Sequence, residues 1–180
     1  MTRWIKILLI VSLSGAISCQ SYRDKKKLQQ DLTSFLNSEI VFPPGLIPFQ
    51  LPDSTQSSDL LNRPYKIVIF IDSAECNDCR IRMLKQGWEP FLKEIQDNDL
   101  SCIIIFNTSQ PHPIQNAMEN MYLSLPYFLD TESRFPKLNE KVRLNSSFKT
   151  FLTRENKVIL AGDPTANPNL KKLYLDQLRK

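Results

Sequence analysis

Ile67, Val68, Ile69, Phe70 and Ile71 follow Lys66 as an unbroken run of bulky apolar residues. Successive side chains of a strand point to opposite faces, so a strand built from them is apolar on both. It must be covered on both sides, as the inner strands of parallel and mixed sheets are. Ser101 to Phe106 is a second run of this kind. Between the two, residues 79–96 place Ile81, Leu84, Trp88, Phe91 and Ile95 on one helical stripe, with Pro90 expected to kink or restart the helix. Ile114, Ala117, Met118, Met121 and Tyr122 mark a second amphipathic helix, the methionines at core spacing. Tyr127 to Leu129 reads as a short strand, and residues 131–142 as a loop with a helical turn. Phe148 to Arg154 and Val158 to Ala161 read as two strands joined by a tight turn at Glu155, Asn156 and Lys157. Asn167 and Pro168 form an N-cap and first helical position, opening a helix that buries Leu170, Leu173, Tyr174 and Leu178. This order predicts an α/β fold, a mixed sheet flanked by helices on both faces.

The chain ahead of this pattern reads differently. Arg3 and Lys6 precede an apolar run, Ile7 to Leu13, which is followed by small residues up to Cys19. That is the grammar of a secretory signal, and the run is too short to span a bilayer. Ala16, Ile17, Ser18 and Cys19 resemble the bacterial lipobox, with Ala16 where a leucine is usual. The resemblance implies cleavage before Cys19 and lipidation of Cys19. The expectation is thus an exported lipoprotein, anchored to a membrane and facing the periplasm or the exterior. Gln20, rather than an aspartate, points to the outer membrane. Lys25, Lys26 and Lys27 lie close to that anchor, on a segment whose Leu28, Leu32, Phe35 and Leu36 share one helical face. Residues 42–64 contain Pro43, Pro44, Pro48, Pro52 and Pro64 and read as a connector, with a short strand near Leu46 to Leu51. The expected organisation is a signal peptide over 1–18, an anchor, helix and Pro-rich connector over 19–63, and a folded domain over 64–180.

Composition narrows the function. A net charge of +4 leaves no nucleic-acid footprint, and four glycines in all leave little for a phosphate loop. The single histidine, His112, lies in an apparent loop, which removes His-based triads and multi-His metal sites. Asn107 and Asn145 open glycosylation sequons by pattern, which a bacterial lipobox makes coincidental. Cys102 falls inside the second strand and reads as core packing. Cys76 and Cys79 remain, in a Cys-x-x-Cys motif between a buried strand and a helix. Unpaired N–H groups and the helix dipole at such a position favour a thiolate on the first cysteine, and the second lies one turn on, within disulfide reach. Two thiolates fall short of the four ligands of a structural zinc, so no metal or other cofactor is expected.

Strand, Cys-x-x-Cys, helix, strand, helix, hairpin and final helix is similar to the thioredoxin fold over about residues 64 to 180. It looks most like the membrane-tethered, extracytoplasmic thioredoxin-like proteins of bacteria. The resemblance implies thiol–disulfide exchange with a protein or small-molecule thiol or disulfide partner. Cys76 would be the nucleophile and Cys79 the resolving cysteine, with Asn77 and Asp78 tuning the potential. Three positions depart from the family pattern. Glu75 replaces an aromatic residue before the first cysteine, and a carboxylate there opposes the thiolate. Phe70 stands where a buried acid is found, with Asp72 nearby. Lys149, before Thr150, stands where a cis-proline is found, and its ammonium would favour the Cys76 thiolate. The alternative these departures support is a non-catalytic thioredoxin-like binding or scaffold module with a structural disulfide.

Overall fold

The structure is a computed structural model, and it describes residues 22–50, 57–95 and 99–179. The expected signal segment, the lipobox-like residues and Cys19 lie outside the described residues. Residues 22–35 form a helix, α1. Leu28 on it is 42% exposed, and of the expected apolar face only Phe35 is fully buried. Among the described residues, Phe35 begins one compact unit that takes in the rest of the chain, and residues 22–34 belong to another. No helix among the described residues is long and apolar enough to cross a membrane.

The compact unit is built on a six-stranded sheet. Its strands are β1 (Ile47–Phe49), β2 (Tyr65–Ile71), β3 (Leu100–Asn107), β4 (Tyr127–Asp130), β5 (Thr150–Arg154) and β6 (Lys157–Ala161), in the spatial order β1-β4-β3-β2-β5-β6. β2 and β3 run parallel in register Ile69↔Ile104, β4 runs parallel to β3, and β1, β5 and β6 are antiparallel to their neighbours. Residues 67–71 are all buried, as their composition demands.

The two faces separate by alternation. Ile67, Ile69 and Ile71 of β2, Ile104 and Phe106 of β3, Tyr127 and Leu129 of β4 and Leu152 of β5 enter one core cluster. The helices over that face are α3 (Asn77–Met83), α4 (Glu89–Glu94), α5 (Pro111–Asn120) and α7 (Pro168–Leu178), which supply Ile81, Phe91, Ile114, Met118 and Tyr174. Phe70 points the other way, its ring 5.5 Å from Phe135 of α6 (Arg134–Leu138). Phe35 joins this second layer, stacked on Phe148 at 4.8 Å and edge-on to Phe151 at 5.3 Å. A short helix, α2 (Ser57–Asn62), precedes β2.

Local chemistry accounts for most boundaries. Pro90 lacks an N–H and sits at the start of α4, and the chain passes from α3 into α4 through a π-helical turn, Leu84–Trp88. That turn keeps Leu84 and Trp88 on the buried side. Glu155 and Asn156 both have positive φ, 50° and 66°, which suits a two-residue hairpin turn between β5 and β6. Asn167 caps α7 by accepting from the N–H groups of Asn169 and Leu170.

Several expectations are corrected. Phe148 belongs to a 3-10 turn, Ser146–Lys149, and β5 starts only at Thr150. Tyr122 is 86% exposed, because α5 stops at Asn120 and Tyr122 turns to φ 49°. Leu173 is 50% exposed, so the buried stripe of α7 narrows to Tyr174 and Leu178, with Leu170 partly covered. His112 lies on the first turn of α5 rather than in a loop, and is exposed.

The chain that precedes β2 supplies the outer pairing at both ends of the sheet. Residues 37–40 run along β6, with Asn37 N–H donating to Val158 O at 2.8 Å and Val158 N–H to Ser38 O at 3.0 Å. β1 covers β4. Between them the side chain of Asn139 grips Val41, donating to its carbonyl at 2.8 Å and accepting from its N–H at 2.9 Å. Pairing of this kind occupies edge groups of β4 and β6 that would otherwise invite aggregation. Phe35→Ala, which empties the ring cluster anchoring this segment, is expected to cost about 3–5 kcal/mol in a urea unfolding titration.

Candidate active site

β2 ends at Ile71, and a tight loop carries the chain into α3. Asp72 closes that loop. Its carbonyl accepts from Glu75 N–H at 2.9 Å, and its carboxylate accepts from Ser73 Oγ and Ala74 N–H. Cys76 then stands at the N-cap of α3 in extended conformation, and its Sγ accepts from Cys79 N–H at 3.3 Å. Cys76 and Cys79 form a disulfide, with Cα atoms 5.3 Å apart, and both residues are exposed. A sulfur that already accepts a backbone N–H at a helix start is placed to carry negative charge.

The charged side chains around the motif form one network. Lys149 Nζ lies 2.6 Å from Glu75 Oε1 and 3.9 Å from Asp72 Oδ2. Arg80 Nε lies 3.2 Å from Glu75 Oε2, and Arg143 Nε lies 3.6 Å from Asp72 Oδ2. Two sequence readings change as a result. Glu75 is not an unopposed carboxylate beside the thiol, because two cations hold it. The Lys149 ammonium is committed to Glu75 and Asp72 and does not stand free for the sulfur. No cis peptide occurs among the described residues, and Thr150 leads into β5 opposite Ile69. Phe70 is fully buried on the second face, while Asp72 is the buried acid at the strand end. Arg80 and Arg143 carried no sequence signal, since their pairings are made by the fold and not by a motif.

A groove of about 480 Å³ lies beside this network, lined by Arg80, Met83, Thr150, Gly162 and Leu170 among others. Gly162 has φ +115°, and a Cβ there would come within 2.7 Å of Leu170 Cδ2, so only glycine fits without displacing the wall. Its carbonyl accepts from Tyr174 Oη at 2.9 Å. Burial, followed by the Asp163 carboxylate, pushes the Tyr174 phenol well above its usual range, which keeps it a neutral donor. A larger cavity of about 550 Å³ lies between residues 35–40 and 137–142 and contains neither cysteine of the motif.

Cys102 lies on β3 opposite Ile67, half-buried against the core, and burial pushes its thiol up to about 12. Among the described residues no group of three or more His, Cys, Asp or Glu is placed to hold a metal ion.

The architecture is the thioredoxin-like fold. The chain is similar to the thioredoxin domain of a thiol-disulfide oxidoreductase from Bacteroides vulgatus, with a TM-score of 0.55 and 14% identity over 77% of this chain and 96% of that one. It is similar to a thioredoxin-like protein solved in its oxidised form, with a TM-score of 0.54 and 12% identity over 78% and 95%. A thiol-disulfide oxidoreductase from Bacteroides fragilis matches with a TM-score of 0.51 and 15% identity over 76% and 99%. No protein-family model and no curated protein matches the sequence.

The contrast between the cysteines is directly measurable. After mild reduction at pH 8, Cys76 and Cys79 should alkylate readily. Cys102, neutral and shielded in the folded protein, should react about a thousandfold more slowly than an ordinary exposed thiol. Peptide mapping in native buffer and in denaturant reads the difference, which should vanish on unfolding.

Proposed function

We propose that this protein performs dithiol–disulfide exchange through Cys76 and Cys79, with a protein or small thiol as partner and no further cofactor. The observation that carries this reading is the exposed disulfide at the end of β2, its Cys76 sulfur capping α3. In the reducing direction the Cys76 thiolate attacks a substrate disulfide, forming a mixed disulfide and expelling one substrate thiolate. Cys79, as thiolate, then attacks Cys76 Sγ, closes the Cys76–Cys79 bond and releases the second substrate thiolate. Two electrons pass to the substrate, and a partner dithiol restores the reduced motif. The oxidising direction is the same sequence reversed. The names of the similar oxidoreductases support this chemistry.

The N-terminal sequence supports an exported, lipid-anchored setting with Cys19 as the modified residue, facing the periplasm or exterior at the outer membrane, where disulfides persist. Asp78, within the motif, favours a second reading, a thioredoxin-like scaffold whose disulfide is static.

The reduction potential separates the two. Equilibration in graded thiol buffers, read by alkylation and mass spectrometry, should place the Cys76–Cys79 couple between about −120 and −270 mV, the span of exchange catalysts. A bridge still closed below about −300 mV would transfer the assignment to the scaffold. Cys79→Ser should accumulate a partner on Cys76 as a mixed disulfide that reductant dissolves. Cys19→Ser should abolish fatty-acid labelling in cells, and labelling that persists would refute the anchor.

A further inference from the structure

We infer that Lys149 and Glu75 act as a positioning pair that sets the ionisation of Cys76, an inference that rests on the exchange reading above. Glu75 is bonded directly to Cys76 in the chain, so its carboxylate bears on any thiolate formed there. Lys149 reaches both Glu75 and Asp72. Its side chain is 18% exposed and that of Glu75 is 22% exposed, so solvent and salt screen the pair less than a surface bridge.

The charges facing this position come from several elements. Asp72 and Glu75 are on the loop after β2, Arg80 is on α3, and Arg143 and Lys149 come from the two 3-10 turns before β5. Three cations against two carboxylates leave one positive charge in excess. Asp78, on the first turn of α3, is exposed and outside the network. Reduction by a partner dithiol breaks the Cys76–Cys79 bond. It leaves a Cys79 thiol and a Cys76 thiolate, the partner becomes a disulfide, and one proton goes to solvent. The cations that hold Glu75 and Asp72 weaken the opposition of those carboxylates to the new anion. Lys149 acts through Glu75, by cancelling the carboxylate that would otherwise oppose the thiolate.

Single substitutions should therefore move the Cys76 thiol in opposite directions. Lys149→Ala leaves two cations against two carboxylates. Glu75→Gln leaves three cations against one. The double variant leaves Arg80 and Arg143 against Asp72, which restores the original excess of one. The experiment is the pH dependence of Cys76 alkylation in the reduced protein. Lys149→Ala should raise the midpoint by about one pH unit and Glu75→Gln should lower it by a similar amount. The double variant should return close to wild type, and Lys149→Arg should leave the midpoint in place. Midpoints that stay put in both singles, or that move in the same direction, overturn the inference. A simple loss of structure would not produce opposite shifts or rescue by arginine. The measurement needs no substrate, so its failure and a failure of the exchange reading are distinguishable. A static disulfide with the expected shifts sinks only that reading, and a working potential with unmoved midpoints sinks only this one.

Discussion

The structure depends on β2, a strand with no polar face to give to water. Ile67, Ile69 and Ile71 require one hydrophobic layer, and Val68 and Phe70 require another. α3, α4, α5 and α7 meet the first requirement. α6, the 3-10 turns and residues 35–42 meet the second through Phe135, Phe148 and Phe35. Because β2 is clamped on both faces and paired with β3 and β5, its end at Ile71 is a fixed point. The loop that holds Asp72, Glu75 and Cys76 starts from that point and is closed by the Asp72 hydrogen bonds.

The disulfide sits where a rigid strand gives way to a helix start, and it remains exposed. The same placement gathers charge. Acids on the loop after β2 meet cations from α3 and from the turns that lead into β5. β5 is the antiparallel neighbour of β2, with Thr150 opposite Ile69, so the residue before Thr150 is carried to the end of β2. Lys149 reaches Glu75 for that reason, despite its distance along the chain.

The segment between α1 and β2 belongs to the architecture. It pairs with β6 at one end of the sheet and adds β1 beside β4 at the other, and Asn139 fastens it midway. Its prolines lack the N–H that long helices and sheet ladders need, and the elements it forms, β1 and α2, are short. The edge pairings it does make are short.

The sequence by itself determined the elements whose chemistry is local: β2 and β3 from their continuous apolar runs, α7 from its Asn167 cap and Pro168, the hairpin turn, and Cys76-x-x-Cys79 at a strand-to-helix junction. It also marked the change at Pro90, although not the π-helical turn Leu84–Trp88 that precedes it. Only the tertiary structure decided the exposure of Leu173 and Tyr122, the pairing of the chain before β2 with β4 and β6, and the pairing of Glu75 with Lys149 and Arg80. The physical reason is range. Caps, turns and apolar periodicity act over a few residues and leave their mark in composition. An ion pair between Glu75 and Lys149 exists only because β2 and β5 pair in one register, and no local pattern encodes which distant charge a carboxylate will meet.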